Sequence, residues 1–159
     1  MIILSRPSFK FKSLFRHTCD LPHKFKELVF YSQGRFALLE ALRILKVVPG
    51  ETIIVPAYIC ESSISLVRKS GYKIIFVDIE TDLKFDINLV YNTAIKHNAK
   101  AIIVVNYFGF SSNLSEIVKV LNPIGTRVIE DNCHSFLSQN NKTDNIKPDA
   151  TIFSMRKCL

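Results

Sequence analysis

No apolar run in the 159-residue chain approaches the roughly 20 residues needed to span a bilayer, and charged side chains interrupt every shorter one. A membrane-spanning role is therefore excluded, and a soluble protein is expected. The opening Met1-Ile2-Ile3-Leu4 is too short for a signal-peptide core, and no small-residue cleavage site follows it. Secretion is not expected, and the cytoplasm is the expected compartment. Cysteine is sparse as well. Cys19, Cys60, Cys133 and Cys158 lie far apart, without a Cys-x-x-Cys pair or a histidine at zinc-finger spacing. Neither a metal site nor a disulfide framework is expected. Internal repeats and low-complexity segments are also lacking.

With 48% apolar side chains, the chain can bury one sizeable core. A single α/β layer structure is the natural expectation. The net charge is +7, and residues 1–30 hold six Lys/Arg against two acids, so more than half of the excess sits in this basic N-terminal arm. A nucleic-acid site needs basic residues gathered on one folded face with aromatics between them, and the remainder of the chain is only mildly basic. No nucleic-acid partner is expected. A phosphorylated small molecule or a nucleotide-sugar accounts equally well for mild basicity.

Phe36, Leu38, Leu39, Leu42 and Leu45 recur at helical spacing from near Gly34, and Val47-Val48-Pro49-Gly50 stops that helix. Short apolar runs at Thr52–Val55, Lys73–Val77, Ala101–Val105, Arg127–Glu130 and Ala150–Phe153 read as buried strands. Helices are expected between most of them, at Ile59–Lys69, Ile87–His97 and Leu114–Leu121. Ser138–Pro148 is the one clear polar loop. This alternation predicts a three-layer α/β/α structure, with a mostly parallel sheet built from right-handed βαβ units. Ligands of such sheets bind beyond the carboxyl ends of the strands.

Two residues stand out at those ends. Asp131 follows the Val128-Ile129-Glu130 run, and Lys157 lies just beyond Ile152-Phe153. A lysine partly removed from water has a lowered pKa and can form a Schiff base with a carbonyl. An aspartate facing it suits a pyridinium nitrogen, because holding that nitrogen protonated makes a cofactor ring an electron sink. Each residue also has a plain alternative. A strand-end aspartate often caps the next helix, and a lysine near a terminus is commonly solvated.

Six segments in order resemble the DegT/DnrJ/StrS sugar aminotransferases, within the fold-type-I pyridoxal-phosphate enzymes. Ser32-Gln33-Gly34-Arg35-Phe36-Ala37-Leu38 is similar to the family's Ser-Gly-Thr or Ser-Gly-Arg segment before the first helix. Val48–Tyr58 is similar to its strand ending in Pro-Ala-aromatic, Phe76–Ile79 to its "FvDid", and Asn106–Gly109 to its "hyfG" turn. Val128–His134 resembles "vIEDaaha", and Phe153–Lys157 the cofactor-lysine segment. The resemblance runs from about Tyr31 to Leu159.

It implies pyridoxal 5'-phosphate as cofactor. Gly34 and Arg35 take the place that contacts the cofactor phosphate at a helix N-terminus, with Arg35 where threonine is commoner. Asp131 would pair with the pyridine nitrogen, His134 would lie near the ring hydroxyl, and Ser154 would help hold the phosphate. Lys157 would bind the cofactor covalently and shuttle protons as the catalytic residue. Cys60 stands where relatives have an aromatic over the ring, with Tyr58 as a substitute. Gly34 as a tight-turn glycine and His134 as an ordinary strand-end residue stay open beside these roles. Tyr107 and Phe108 are expected to be packing residues.

The resemblance also implies the reaction: transfer of an amino group from an amino acid, commonly glutamate, to a keto-sugar nucleotide. Such a step serves amino-sugar or surface-polysaccharide biosynthesis, and the full-length family implies a homodimer. Family members continue well beyond the lysine. The expectation is therefore a basic arm over 1–30 and an incomplete large domain over 31–159, with the C-terminal small domain absent. Such a chain would be inactive alone, with uncovered apolar helix faces, an unpaired sheet edge and poor solubility. The alternative is a truncated, non-catalytic remnant. A third reading keeps the fold and changes the chemistry, to a dehydratase or a regulator.

Overall fold

The computed structural model describes residues 29–135 and 146–154. Most of the arm expected over 1–30 and most of the loop expected over 138–148 lie outside these residues. So does Lys157.

Chain order is α1 (Gly34–Ile44), β1 (Thr52–Pro56), α2 (Glu61–Lys69), β2 (Lys73–Val77), α3 (Ile87–His97), β3 (Ala101–Val105), α4 (Leu114–Leu121), β4 (Arg127–Asp131) and β5 (Ala150–Ile152). The strands form one sheet in the order β2-β1-β3-β4-β5, and every neighbouring pair is parallel. The mostly parallel sheet expected from the alternation is thus found. Among the described residues β2 and β5 are the sheet edges, and Phe76 on β2 is exposed.

Successive side chains of a strand point to opposite faces, and the cores divide accordingly. Ile53, Val55, Ile103, Val105, Ile129 and Ile152 pack with Leu38, Ala41 and Leu42 of α1 and Ile64 and Val67 of α2. Ile54, Ile102, Val104 and Val128 pack with Val90 and Ala94 of α3 and Leu114, Ile117, Val118 and Leu121 of α4. These are the three layers expected: two helices, the sheet, two helices. β3 has all five residues buried because it runs between both helical layers. No helix among the described residues is long and apolar enough to cross a membrane.

Local chemistry fixes several element ends. Asp86 caps α3, its Oδ1 accepting from Asn88 N at 2.8 Å and Leu89 N at 3.1 Å. Asn98 then ends the helix in the left-handed region at φ 47°. Four expected bounds shift. β1 runs through Pro56, which pairs with Val77, rather than ending at Val55. α2 begins at Glu61 rather than Ile59, because Cys60 holds an extended backbone at the N-cap. β4 continues through Asp131, which pairs with both Val105 and Ile152. β5 ends at Ile152 rather than Phe153.

Candidate functional site

Because all five strands run in parallel, their carboxyl ends gather on one side of the sheet. A cleft of about 300 Å³ opens there, at the lower end of small-molecule sites. Its walls come from three connections: Tyr58, Ile59, Cys60 and Ser63 between β1 and the first turn of α2; Tyr107 and Phe108 after β3; and Asp131, Cys133 and His134 at the end of β4.

Asp131 lies at the base of this cleft with only 8% of its surface exposed. Its Oδ1 accepts a hydrogen bond from Cys133 N at 2.9 Å, and no other hydrogen bond to its carboxylate is found among the described residues. The alternative of capping a following helix does not apply, since β4 leads into a turn at Asn132–His134. Asp131 shares the strand face of Ile129, the face covered by α1 and α2.

The N-terminus of α1 reaches the same corner. A Cβ added at Gly34 would lie 3.6 Å from Cys133 Sγ, an ordinary contact, and Gly34 is not in the left-handed region. Neither a tight turn nor packing therefore requires glycine here. Glycine instead leaves the helix end without a covering side chain. Gln33 makes no side-chain cap and the first turn carries no acid, so the unbonded N–H groups stay available to an anion. The Arg35 guanidinium lies 5.7 Å from the centroid of the Phe36 ring.

The aromatic residues divide into two kinds. Tyr107 is buried in the core, and its hydroxyl donates to Tyr58 O at 2.5 Å. Burial pushes its phenol pKa up, and the charge of Asp131 and the neighbouring Tyr58 push it further the same way. Packing, as expected, describes Tyr107. It does not describe Phe108, which is 61% exposed on the cleft wall. Its backbone sits in the left-handed region at φ 51° and ψ 23°, followed by Gly109 at φ 90°. The Phe108 ring stacks on His134, with centroids 5.9 Å apart and planes 12° from parallel. Tyr58 packs beside Tyr107, with centroids 5.4 Å apart, and Cys60 is exposed at the cleft with its Sγ 3.0 Å from Ser62 Oγ.

Beneath the cleft lies a buried polar cluster that the sequence reading missed. Asn106 Nδ2 donates to Glu130 Oε1 at 2.8 Å and also to Asn132 Oδ1. Asn106 Oδ1 accepts from Ser112 N and Ser112 Oγ, while its carbonyl accepts from Ser135 Oγ at 2.8 Å. Thr151 Oγ1 donates to Glu130 Oε2 at 3.0 Å. This cluster ties the ends of β3, β4 and β5 together, and it holds Asp131 between two fixed neighbours. No local signal marked it, because the register of β3, β4 and β5 is what brings its members together.

Of the residues expected at the site, Asp131 and His134 line the cleft, and Gly34 reaches it through Cys133. Arg35 follows Gly34 on α1. Ser154 is half-buried two residues beyond β5, the strand beside Asp131. Lys157 lies outside the described residues.

The chain is similar in sequence and in fold to known proteins. The chain is 32% identical over 100 residues to UDP-N-acetyl-3-dehydro-alpha-D-glucosamine 3-aminotransferase of Acidithiobacillus ferrooxidans, covering 63% of this chain and 27% of that protein. It is 35% identical over 87 residues to GDP-4-keto-6-deoxy-D-mannose 3-dehydratase of Escherichia coli O55:H7, covering 54% and 22%. The chain thus spans about a quarter of the length of these curated relatives. Among solved structures, ntda of Bacillus subtilis with bound cofactor pmp superposes with a TM-score of 0.59 at 30% identity, covering 65% of this chain and 24% of that one. The fold is that of part of a fold-type-I aminotransferase large domain. Residues 12–155 match the DegT/DnrJ/EryC1/StrS aminotransferase family, and the chain belongs to that family.

Proposed function

We propose that this chain supplies the cofactor-binding part of a pyridoxal-phosphate-dependent aminotransferase that moves an amino group, with glutamate as donor, onto a keto-sugar nucleotide. The observation that carries this reading is the convergence of Asp131 and the Gly34 end of α1 on one cleft. A buried acid and an open helix N-terminus, joined through Cys133, match the two ends of a phosphorylated pyridine.

The residues present fit the group. Asp131 would hold a proton on the pyridine nitrogen, since its Oδ1 is already fixed by Cys133 N and its position by the Asn106 cluster. The α1 N-terminus would receive the phosphate through its unbonded N–H groups, with Arg35 and Ser154 adding a charge and a hydroxyl. His134 would face the ring hydroxyl from the cleft wall. Lys157 would bind the cofactor covalently and would take up and release the proton that the amino-bearing carbon of the donor loses. When bound, the cofactor supplies the electron sink for that transfer. The Asn106 cluster holds Glu130 and Asn132, the neighbours of Asp131, in place before any ligand arrives. The sugar acceptor, the glutamate donor and a homodimer follow from the family likeness, as does a place in amino-sugar or surface-polysaccharide synthesis.

Likeness to the Escherichia coli dehydratase favours a second reading, loss of water from a keto-deoxy sugar nucleotide at the same cleft. Product analysis separates the two, since only the aminotransferase introduces nitrogen into the sugar.

The test is an absorbance spectrum of the chain with pyridoxal phosphate, beside a Lys157→Ala variant, followed by borohydride reduction and peptide mass analysis. The expected result is a new band that the variant lacks and a cofactor mass fixed on the Lys157 peptide. A folded chain showing neither would sink the cofactor reading and leave a non-catalytic remnant.

A further inference from the structure

Parallel strands gather their amino ends on the side of the sheet opposite the cleft, and there the connections are tied edge to edge. Lys73 N donates to Glu51 O, Lys100 N to Thr52 O, Arg127 N to Lys100 O and Asp149 N to Val128 O, all at 2.8–2.9 Å. The result is a continuous rim, about 20 Å across the five strands. Its charge is one-sided. Lys46, Lys69, Lys73, Lys96, Lys119 and Lys147 are exposed here, and none of them makes an ion pair among the described residues. The acids of the rim are engaged, since Glu51 accepts from Val48 N and Asp149 pairs with Arg127. Cations at helix C-termini offset the helix dipole. That accounts for Lys69, Lys96 and Lys119 in the last turns of α2, α3 and α4, but not for Lys46, Lys73 and Lys147, which lie in turns or at a strand start. Exposed aliphatic side chains stand among these lysines: Ile44 ends α1, Val48 follows in the turn to β1, and Ile124 lies in the turn after α4. Both turns are fixed. The Tyr72 hydroxyl donates to Val47 O at 3.1 Å beneath Val48, and Gly125, at φ 82°, donates its N–H to Asn122 O around Ile124.

We propose that this rim docks on the surface of an anionic phospholipid bilayer, its lysines meeting the headgroups while Ile44, Val48 and Ile124 enter the interface. Fixed aliphatic tips ringed by lysines combine the two attractions that hold a protein on such a surface without crossing it. Lipid suits the rim better than nucleic acid does. Its three arginines, Arg43, Arg68 and Arg127, are committed to Glu40, Glu61 and Asp149. The cations left over are lysines, which act as point charges and do not fork onto phosphates or base edges. The exposed apolar residues are aliphatic, whereas bases stack on aromatic rings. Docking in this way leaves the cleft facing away from the bilayer, and it does not depend on what the cleft binds.

The test is flotation of the full chain with vesicles of phosphatidylcholine, with and without phosphatidylglycerol, at low and high salt. Wild type is expected to float with the anionic vesicles alone and to be released as salt screens the lysines. A lysine near an anionic leaflet contributes roughly fivefold to binding, so Lys46→Gln, Lys73→Gln and Lys119→Gln together should weaken it on the order of a hundredfold. The pair Val48→Ser and Ile124→Ser keeps the charge and should weaken binding less, leaving its salt dependence unchanged. Thermal unfolding of both variants should match wild type, since every replaced side chain is exposed. No flotation with anionic vesicles, or equal flotation with neutral ones, overturns the proposal. Wild-type binding in the lysine variant places the contact elsewhere in the chain, the basic residues 1–30 included, and overturns it too. An RNA or DNA oligonucleotide bound more tightly than the vesicles, and lost in the same lysine variant, would assign the rim to nucleic acid instead.

Discussion

Replacing Asp131 with asparagine separates the charge of this residue from its shape. The amide oxygen can still accept from Cys133 N, now 2.9 Å from Oδ1, and the side chain keeps its volume at the base of the cleft. The fold should therefore change little, since one charge-assisted hydrogen bond becomes a neutral one, a loss of about 1 kcal/mol. Cofactor binding should change far more. A charged acceptor for a pyridinium proton contributes about 1.5–3 kcal/mol, which corresponds to roughly 10- to 150-fold in Kd for pyridoxal phosphate. A second consequence needs no cofactor. The negative charge of Asp131 is one of the causes holding the Tyr107 phenol above its ordinary range, after burial itself. In Asp131→Asn that phenol should ionise at lower pH, although still above an exposed tyrosine, because burial remains. Titration of cofactor affinity by absorbance and of tyrosinate by ultraviolet difference spectra reads both effects. A variant that unfolds normally, lowers the Tyr107 ionisation and yet binds pyridoxal phosphate as tightly as wild type would refute the pairing of Asp131 with the pyridine nitrogen.

Two further predictions concern the frame of the site. Tyr107 has a folded-state pKa above its unfolded value, so its contribution is intact below about pH 10 and is lost as pH rises beyond that. Urea midpoints measured across that range should fall with pH in wild type and fall less steeply in Tyr107→Phe, which also loses about 1 kcal/mol with the bond to Tyr58 O. Equal slopes would contradict this assignment. Asp86→Ala removes both hydrogen bonds capping α3 and should cost about 0.5–2 kcal/mol in chemical denaturation, with cofactor binding unchanged because α3 lies on the sheet face away from Asp131.

Much of this architecture could be read from periodicity because each element is locally consistent. β2, α3, β3 and α4 have the expected ends, each being an apolar or amphipathic run between Gly, Asp, Asn or Pro. Asp131 was visible for a simple reason: a charged residue after an apolar run marks the place where a buried strand meets solvent. The Asn106 cluster was not visible, since nothing local distinguishes a buried asparagine from a loop asparagine. Its partners Glu130 and Asn132 lie 24 and 26 residues away, and only the parallel register of β3 with β4 brings them together. Phe108 misled for the opposite reason. An aromatic after an apolar strand ordinarily packs, as Tyr107 does, and the reversal at Phe108 depends on one backbone angle that residue type alone does not encode. Gly34 shows the same limit from another side. A glycine before a helix ordinarily signals a turn, but here φ is not left-handed and the added Cβ would fit, so its meaning came only from the neighbour that the fold places beside it. The strand ends thus announce where chemistry belongs, whereas the residues that orient it are set by register and backbone conformation, which sequence spacing records only indirectly.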